Sequence, residues 1–295
     1  MRADRSHARW LLAAALAAAL IGASAGARPA AAAVTLGQLA PPGTAAPCTP
    51  TADYLQPSIT GGNLYIARQA GTITSWSTQS SGAGATYAFK VFRRTGDPDV
   101  FQVMARTSFH TLTSGLNTVP VDIAVRSGDM IGVNESGATS SCLFSQPGDG
   151  VLTHAGDLAA GTSGGFVPQN DVRLNLAAQL VPSNSFGVTS IARDRKQGTA
   201  TMTVSVSNPG VLALSGKGLK KAHISRNVAV AGTIAFHLAA AGAKKRKLQK
   251  TGKVAVAPTL TFSPAGGDPA SGVVTVKLIM RRVKPPPQLG LPTAQ

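Results

Sequence analysis

The sequence predicts an all-β protein: two β-sandwich domains, the first jelly-roll-like and the second Ig-like, after an N-terminal signal peptide. Three observations predict this fold class. Glycine occurs 32 times and proline 19 times, whereas glutamate, which exposed helix surfaces use heavily, occurs once, at Glu135. Short apolar runs with a period of two recur along the chain, as half-buried strands require. Turn-forming residues separate these runs.

The N-terminus has the three parts of a secretory signal. Residues 1–9 are basic, residues 10–23 form an apolar run rich in Leu and Ala, and residues 25–27 (Ala-Gly-Ala) supply the small residues of a cleavage site. Residues 31–33 offer a second cleavage site. The apolar run is shorter than the roughly 20 residues that span a bilayer. We therefore expect residues 1–33 to be a signal peptide and linker, with no transmembrane segment after cleavage and an extracellular location.

Cys48 and Cys142 are the only cysteines. In an exported protein an even pair is most simply a disulfide, which here would close a loop of about 95 residues. In the chain-entropy model such a loop contributes about 4–5 kcal/mol. Two separate buried thiols remain the alternative.

Charge is distributed unequally along the chain. Residues 34–182, the first half, hold seven Lys or Arg against nine Asp or Glu, whereas residues 183–295, the second half, hold seventeen against two. The net charges are −2 and +15. We place a domain boundary at residues 181–185, where turn-forming residues follow a strand-like run. The second half divides into a basic β-sandwich at 183–284 and a Pro-rich disordered tail at 285–295.

The first half shows the alternation of a half-buried strand most clearly around Tyr87, Phe89 and Val91, which alternate with Ala88 and Lys90. About eight apolar runs at this spacing favour a sandwich of the jelly-roll type.

The second half alternates more regularly. Its apolar positions fall at Met202, Val204 and Val206, at Ile234, Phe236 and Leu238, and at Val274, Val276, Leu278 and Met280. About 100 residues with roughly seven strands match the size of an immunoglobulin-like sandwich. The Cys–Trp–Cys core of antibody domains is absent, so the prediction concerns architecture only.

A resemblance follows from these stretches. Residues 185–282, including Pro-Gly-Val-Leu-Ala-Leu-Ser-Gly-Lys-Gly at 209–218 and the lysine-rich run at 244–253, resemble a Lys-rich Ig-like module. Such modules end many uncharacterised secreted proteins of high-GC actinobacteria. The first half, with residues 73–77 and 125–132, is similar to the β-rich region that precedes them. The resemblance implies a secreted two-sandwich protein and brings no established activity.

The strongest enzyme-like motif is Gly-Thr-Ser-Gly-Gly at residues 161–165. A serine nucleophile at Ser163 needs a histidine base and an orienting carboxylate. His110 lacks the sequence context of such a base, and His154 lies close upstream. The residues after the motif do not begin a helix, as a nucleophile elbow requires. We therefore expect a glycine-rich loop, no catalytic residues and no enzyme; an enzyme that uses Ser163 is the rival class.

No cofactor or metal site is expected. The histidines that remain after export, His110, His154, His223 and His237, are scattered singly and are expected on the surface. Calcium stays an alternative because aspartates occur at positions 97, 99, 122 and 129, but it needs six to eight oxygens. Turn formation explains these aspartates equally well.

Two groups of residues are candidates for binding. Large aromatic side chains are more often in the core of a small sandwich. Trp76 shares a strand face with Thr74 and Thr78, opposite Ile73, so the alternative is an outward indole that stacks on a sugar. The basic run is expected to form an exposed hairpin tip that contacts polyanions. Its members are Lys244, Lys245, Arg246, Lys247, Lys250 and Lys253.

The sequence therefore predicts a secreted, non-enzymatic binding or surface-associated protein. Its partners would be anionic cell-wall polymers or polysaccharide, with no specific nucleic acid, because no aromatic residues interleave with the lysines. The alternative is a carbohydrate-binding or accessory module of polysaccharide processing.

Overall fold

The computed structural model describes residues 32–136 and 141–281. Within these ranges the chain forms β-strands and one α-helix, so the all-β prediction is confirmed. The predicted signal peptide up to residue 31 and the Pro-rich tail lie outside the described residues. No helix in the described part is long and apolar enough to cross a membrane.

The first half contains twelve strands among its described residues. They are β1 (Val34–Gln38), β2 (Ala52–Ser58), β3 (Gly71–Ser80), β4 (Thr86–Arg94), β5 (Val100–Arg106), β6 (His110–Thr111), β7 (Gly115–Val125), β8 (Met130–Ser136), β9 (Leu143–Ala155), β10 (Ser163–Gly165), β11 (Val167–Leu174) and β12 (Leu176–Pro182).

These strands form two antiparallel sheets that enclose a core. One sheet has the order β1-β12-β3-β7; the other has the order β10-β5-β4-β8-β2-β9-β11, with β6 paired to β4. Alternation along the strands turns one face of each sheet inward. The inward face of the larger sheet contributes Tyr87, Phe89 and Val91 on β4, as the sequence predicted, and meets Ile73 and Leu180 of the smaller sheet in one buried cluster.

The second half contains nine strands and the helix among its described residues. They are β13 (Phe186–Asp194), β14 (Thr199–Val206), β15 (Gly210–Ser215), β16 (His223–Val228), β17 (Gly232–Leu238), α1 (Gly242–Thr251), β18 (Lys253–Val256), β19 (Thr259–Pro264), β20 (Ala270–Val273) and β21 (Val276–Ile279).

Here the sheets are smaller. Strands β13-β14-β17 and β16-β15-β19-β20 form separate sheets, and β18 pairs with β21. The predicted alternation is observed: Met202, Val204 and Phe236 are buried in a core that also holds Leu248 of α1. Each half therefore has its own core of buried side chains, and the clusters share no residue.

A hydrogen-bonded seam joins the halves. Asn208, buried to 1% exposure, donates from Nδ2 to the carbonyls of Ala70 (2.8 Å) and Ser183 (2.6 Å), and its Oδ1 accepts the Ala70 N–H at 2.8 Å. Gln69 donates from Nε2 to the Ala265 carbonyl at 2.8 Å. The described residues, 32–136 and 141–281, belong to one compact unit.

Candidate functional site

The cysteines form the predicted disulfide. Cys48 and Cys142 are bonded, at a sequence separation of 94 and with Cα atoms 5.9 Å apart. The bond ties the segment before β2 to the residue before β9. Cys142 is fully buried in the core of the first half. The disulfide is therefore structural, because no sulfur is left to react or to bind a metal among the described cysteines.

Trp76 does not face outward, so the sugar-stacking alternative is wrong. Its side chain is fully buried, and its ring stacks on Phe89 at 6.0 Å between centroids and meets the edge of His110 at 6.3 Å. The pairing of β3 with β7 shifts between Ile73 and Ser75. Such a bulge inserts one residue and reverses the face on which later side chains lie. Ile73 and Trp76 therefore both enter the core, and the indole has no accessible face for a sugar.

The Gly-Thr-Ser-Gly-Gly motif forms part of a sheet edge. Its last three residues are β10, which pairs with β5. His154 bonds through Nδ1 to the carbonyl of Gly165 at 2.7 Å, and His110 lies on β6 against Trp76. Among the described residues, no hydrogen bond joins Ser163 to a histidine or carboxylate. The described residues therefore assemble no serine triad around Ser163.

Two of the four aspartates weighed for calcium, Asp129 and Asp97, have other partners. Arg93 holds Asp129 through two bonds of 2.7 and 2.9 Å, and this pairing raises the pKa of the arginine. Asp97 stabilises its own turn by accepting the N–H of Asp99 at 3.2 Å. Within residues 32–136 and 141–281, no three His, Cys, Asp or Glu side chains are grouped as a metal site requires.

Buried charges on the first half were missed by the sequence reasoning. Lys90 is fully buried; its Nζ contacts Asp53 at 2.5 Å, Asp157 at 2.7 Å and the Leu158 carbonyl at 2.8 Å. Burial raises the pKa of Asp53, against the opposing effect of the Lys90 ammonium. Asn134 also donates to Asp53, at 2.7 Å. Alternation placed Lys90 opposite the core, but a later stretch of chain covers that face.

Glu135 is buried on the opposite face. It follows Ile131 and Val133 on the inward side of β8, and neither of its carboxylate oxygens has a hydrogen-bond partner among the described residues. Burial raises the pKa of Glu135 to about 7. The carboxyl therefore folds preferentially in its neutral form.

The basic run of the second half forms a helix rather than the expected hairpin tip. It occupies α1, where only Leu248 is buried and the side chains of Lys244, Lys245, Arg246, Lys247 and Lys250 are exposed. Gly252 ends the helix in the left-handed conformation, with φ of 73°, and its N–H bonds to the Leu248 carbonyl. The last predicted residue, Lys253, begins β18 and is also exposed. The helix therefore presents a row of cations to solvent.

Two basic grooves lie in the second half, and the first of them borders this surface. The first, of about 380 Å³, runs between the end of α1 and the β18–β21 pair and is lined by Lys247, Lys253 and Lys277. The second, of about 310 Å³, is lined by Lys220, Lys221, Arg226, His237 and Thr199, among others. The Thr199 hydroxyl is buried and has no hydrogen-bond partner among the described residues. We refer to the first as the α1 groove.

No acidic side chain among the described residues pairs with a cation of the second half. Every ion pair between described residues lies in the first half. The two acids of the second half bond to backbone instead. Asp194 accepts the N–H groups of Gln197 and Lys196, which lower its pKa, and Asp268 accepts the Ala32 N–H at 3.2 Å. The field of this surface is therefore open to an external anion.

Comparison with known proteins adds little to this geometry. No protein-family profile matches the sequence, and no curated protein matches it. Solved structures that resemble the chain include a GH2 beta-galacturonidase from Eisenbergiella tayi, determined with bound galacturonate. The match has 10% identity and a TM-score of 0.21 over 82% of this chain and 43% of that protein. The chain thus spans less than half of that enzyme's length, and a likeness this low supports no functional argument.

Proposed function

We propose that the chain is a secreted, non-enzymatic binding protein whose basic second half contacts anionic polymers of the cell envelope or the extracellular medium. The observation that supports this is the open α1 groove: Lys247, Lys253 and Lys277 line one groove without an ion-pair partner among the described residues. Lysines held at fixed positions on a helix end and a strand pair are suited to a repeating anionic chain. The burial of Trp76 removes the main support for sugar stacking.

The charge of the second half determines the expected affinity for an anionic polymer. Each lysine near an anionic surface contributes about 1 kcal/mol at physiological salt. Losing the three lysines of the α1 groove should therefore weaken binding on the order of 100-fold. Contributions from charges farther than about 8–10 Å are screened, so lysines outside the groove should matter less.

The test compares two triple variants of the full chain on immobilised polyphosphate and on polygalacturonate. K247Q/K253Q/K277Q removes the α1 groove, and R195Q/K196Q/K217Q removes the same charge elsewhere in the second half. We expect the first to elute at much lower salt and the second to elute close to the wild-type protein. Equal losses would contradict a groove-centred site, and absence of wild-type retention on both polymers would contradict the proposed function.

Export is tested separately. The full sequence, expressed in a bacterial host that secretes, should appear in the medium with an N-terminus after residue 27 or within residues 31–33. Recovery inside the cell with Met1 intact would contradict the secreted location.

A further inference from the structure

A cleft lies between the two halves, away from the α1 groove. Its volume is about 520 Å³, within the range of about 300–1,000 Å³ that small-molecule sites occupy. The lining is mostly apolar and comes from both halves; it includes Val34, Leu36, Leu64, Ile66, Leu180 and Pro209. Junctions between packed units are frequent places for ligand sites.

The walls of the cleft are held in place. The Gln69–Ala265 bond and the Asn208 bonds of the seam fix the second half against the first. Gly266, with φ of +70°, borders the cleft, and a Cβ at this position would come within 2.7 Å of Val34 Cγ2. Only glycine allows this approach without displacement. The cleft is therefore formed before any ligand arrives.

Two polar groups of the lining lack partners. Gln69 is buried, and because its Nε2 donates to the Ala265 carbonyl, the orientation of the amide is fixed. Its Oε1 is left as a buried acceptor with no donor among the described residues. Arg68, the neighbouring residue, is exposed at the cleft and takes part in none of the ion pairs between described residues.

We propose that this cleft binds a small amphipathic carboxylate that also carries an N–H or O–H donor. Each part of such a molecule contacts one feature of the site. The carboxylate pairs with the Arg68 guanidinium, whose planar fork suits it. The donor reaches Gln69 Oε1 by a local shift of the side chains around it, because this oxygen is closed to solvent. An apolar chain or ring covers Leu36, Ile66 and the other apolar side chains. The site goes beyond the proposed polymer binding and shares no residue with it.

The probe for the test is N-decanoylglycine, which has a carboxylate, an amide N–H and an apolar chain. Binding to the full chain is measured by calorimetry below the micelle concentration. Two analogues separate the contacts: the methyl ester removes the charge, and the N-methyl amide removes the donor. Hydrogen bonds to charged groups contribute about 1.5–3 kcal/mol, so the ester should bind at least tenfold more weakly. A smaller loss, about threefold to tenfold, is expected for the N-methyl compound.

Protein variants locate the site. R68Q should weaken binding at least tenfold, whereas R126Q, an equally exposed arginine in a nearby turn, should leave it unchanged. L64W fills the cleft and should abolish binding; its far-ultraviolet circular dichroism shows whether it folds. Equal effects of R68Q and R126Q, unchanged binding in L64W with native dichroism, or no binding to the wild-type protein would each overturn the proposal.

The two proposals fail independently. K247Q/K253Q/K277Q should bind N-decanoylglycine as the wild-type protein does, and R68Q should retain its affinity for polyphosphate. Loss of both activities in either variant would contradict the separation of the sites.

Discussion

The two halves of the molecule place their charges in opposite ways. In the first half, four of the seven cations, Lys90, Arg93, Arg106 and Arg173, are in ion pairs, and Lys90 is fully buried. In the second half, no ion pair joins described residues, and Lys247, Lys253 and Lys277 line an open groove. Equal kinds of side chain thus serve structure in one half and remain available to a ligand in the other. Net charge alone would not have revealed this division.

Loss of the disulfide has the largest expected effect on the free energy of unfolding of the first half. Reducing it, or replacing both cysteines by alanine, should lower the free energy of unfolding of the first half by about 4–5 kcal/mol, because the unfolded chain loses a closed loop of about 95 residues. Trp76, buried in the first half, reports this transition by fluorescence, and calorimetry reports both halves. An unchanged Trp76 transition would contradict a stabilising role. Chemical reduction and the double alanine variant should agree.

Lys90→Met should cost about 3–5 kcal/mol, because it leaves the Asp53 carboxylate buried without its cation. Urea unfolding, followed at Trp76, measures the loss. The control is D53N/K90M, in which no buried carboxylate is left unpaired and Asn134 still has an oxygen to bond. This double variant should recover part of the stability. If K90M proves as stable as the wild-type protein, the buried ion pair contributes nothing to the first half.

Glu135→Gln should change the pH dependence of the first half. Because folding raises the pKa of Glu135 to about 7, the stabilising effect of its protonated form is fully present below about pH 4.5 and is lost as the pH rises through about 7. The free energy of unfolding of the glutamine variant should therefore rise relative to that of the wild-type protein as the pH rises, by about 3 kcal/mol between pH 4 and pH 8.

The difference in the free energy of unfolding between E135Q and the wild-type protein is measured by urea unfolding at pH 4, 6 and 8. Asp149 also makes the stability depend on pH, because its hydrogen bonds to Arg173 and Thr60 lower its pKa although burial alone would raise it. Both proteins contain Asp149, so its contribution cancels in the difference between their free energies of unfolding. A difference that does not change with pH would contradict the burial of an ionisable Glu135.

Lys247→Met gives the smallest expected effect and completes the comparison, since it makes the same substitution as in the Lys90 variant on the exposed helix. The free energy of unfolding should change by less than about 0.5 kcal/mol, as measured by calorimetry. A loss comparable to that of K90M would mean that the α1 cations stabilise the second half and are not simply available to a ligand.

Local patterns predicted much of the fold. The period-two runs of Tyr87–Val91 and Met202–Val206 are strands whose alternating apolar side chains enter the two cores, and the two cysteines are bonded. The first of these strands is buried on both faces, whereas the sequence predicted a half-buried strand. The helix at the basic run also had a local signal that was overlooked. Ala, Lys, Arg, Leu and Gln are strong helix formers, and Gly252 follows them where a C-terminal cap belongs.

The remaining errors have non-local causes. A bulge in the pairing of β3 with β7 reverses the face of Trp76, and alternation counted along one strand contains no information about it. Lys90 is buried because the chain around Leu158, far away in sequence, covers it. The cleft at Arg68 and Gln69 exists only after the halves pack together. The domain boundary at residues 181–185 and the signal peptide stay predictions.

Asn208 gives the junction a consequence for modular evolution. The Asn-Pro-Gly sequence at 208–210 is typical of an exposed turn, but the side-chain amide of Asn208 is satisfied only by backbone groups of Ala70 and Ser183. A gene fusion that transplanted the second half onto another partner would keep the bond to Ser183 but lose both bonds to Ala70, so the amide oxygen and one amide hydrogen would face foreign chain or water. Recombination should therefore carry the two halves together, or replace Asn208 when it separates them. We therefore expect the two halves to be inherited together, although each half has its own core.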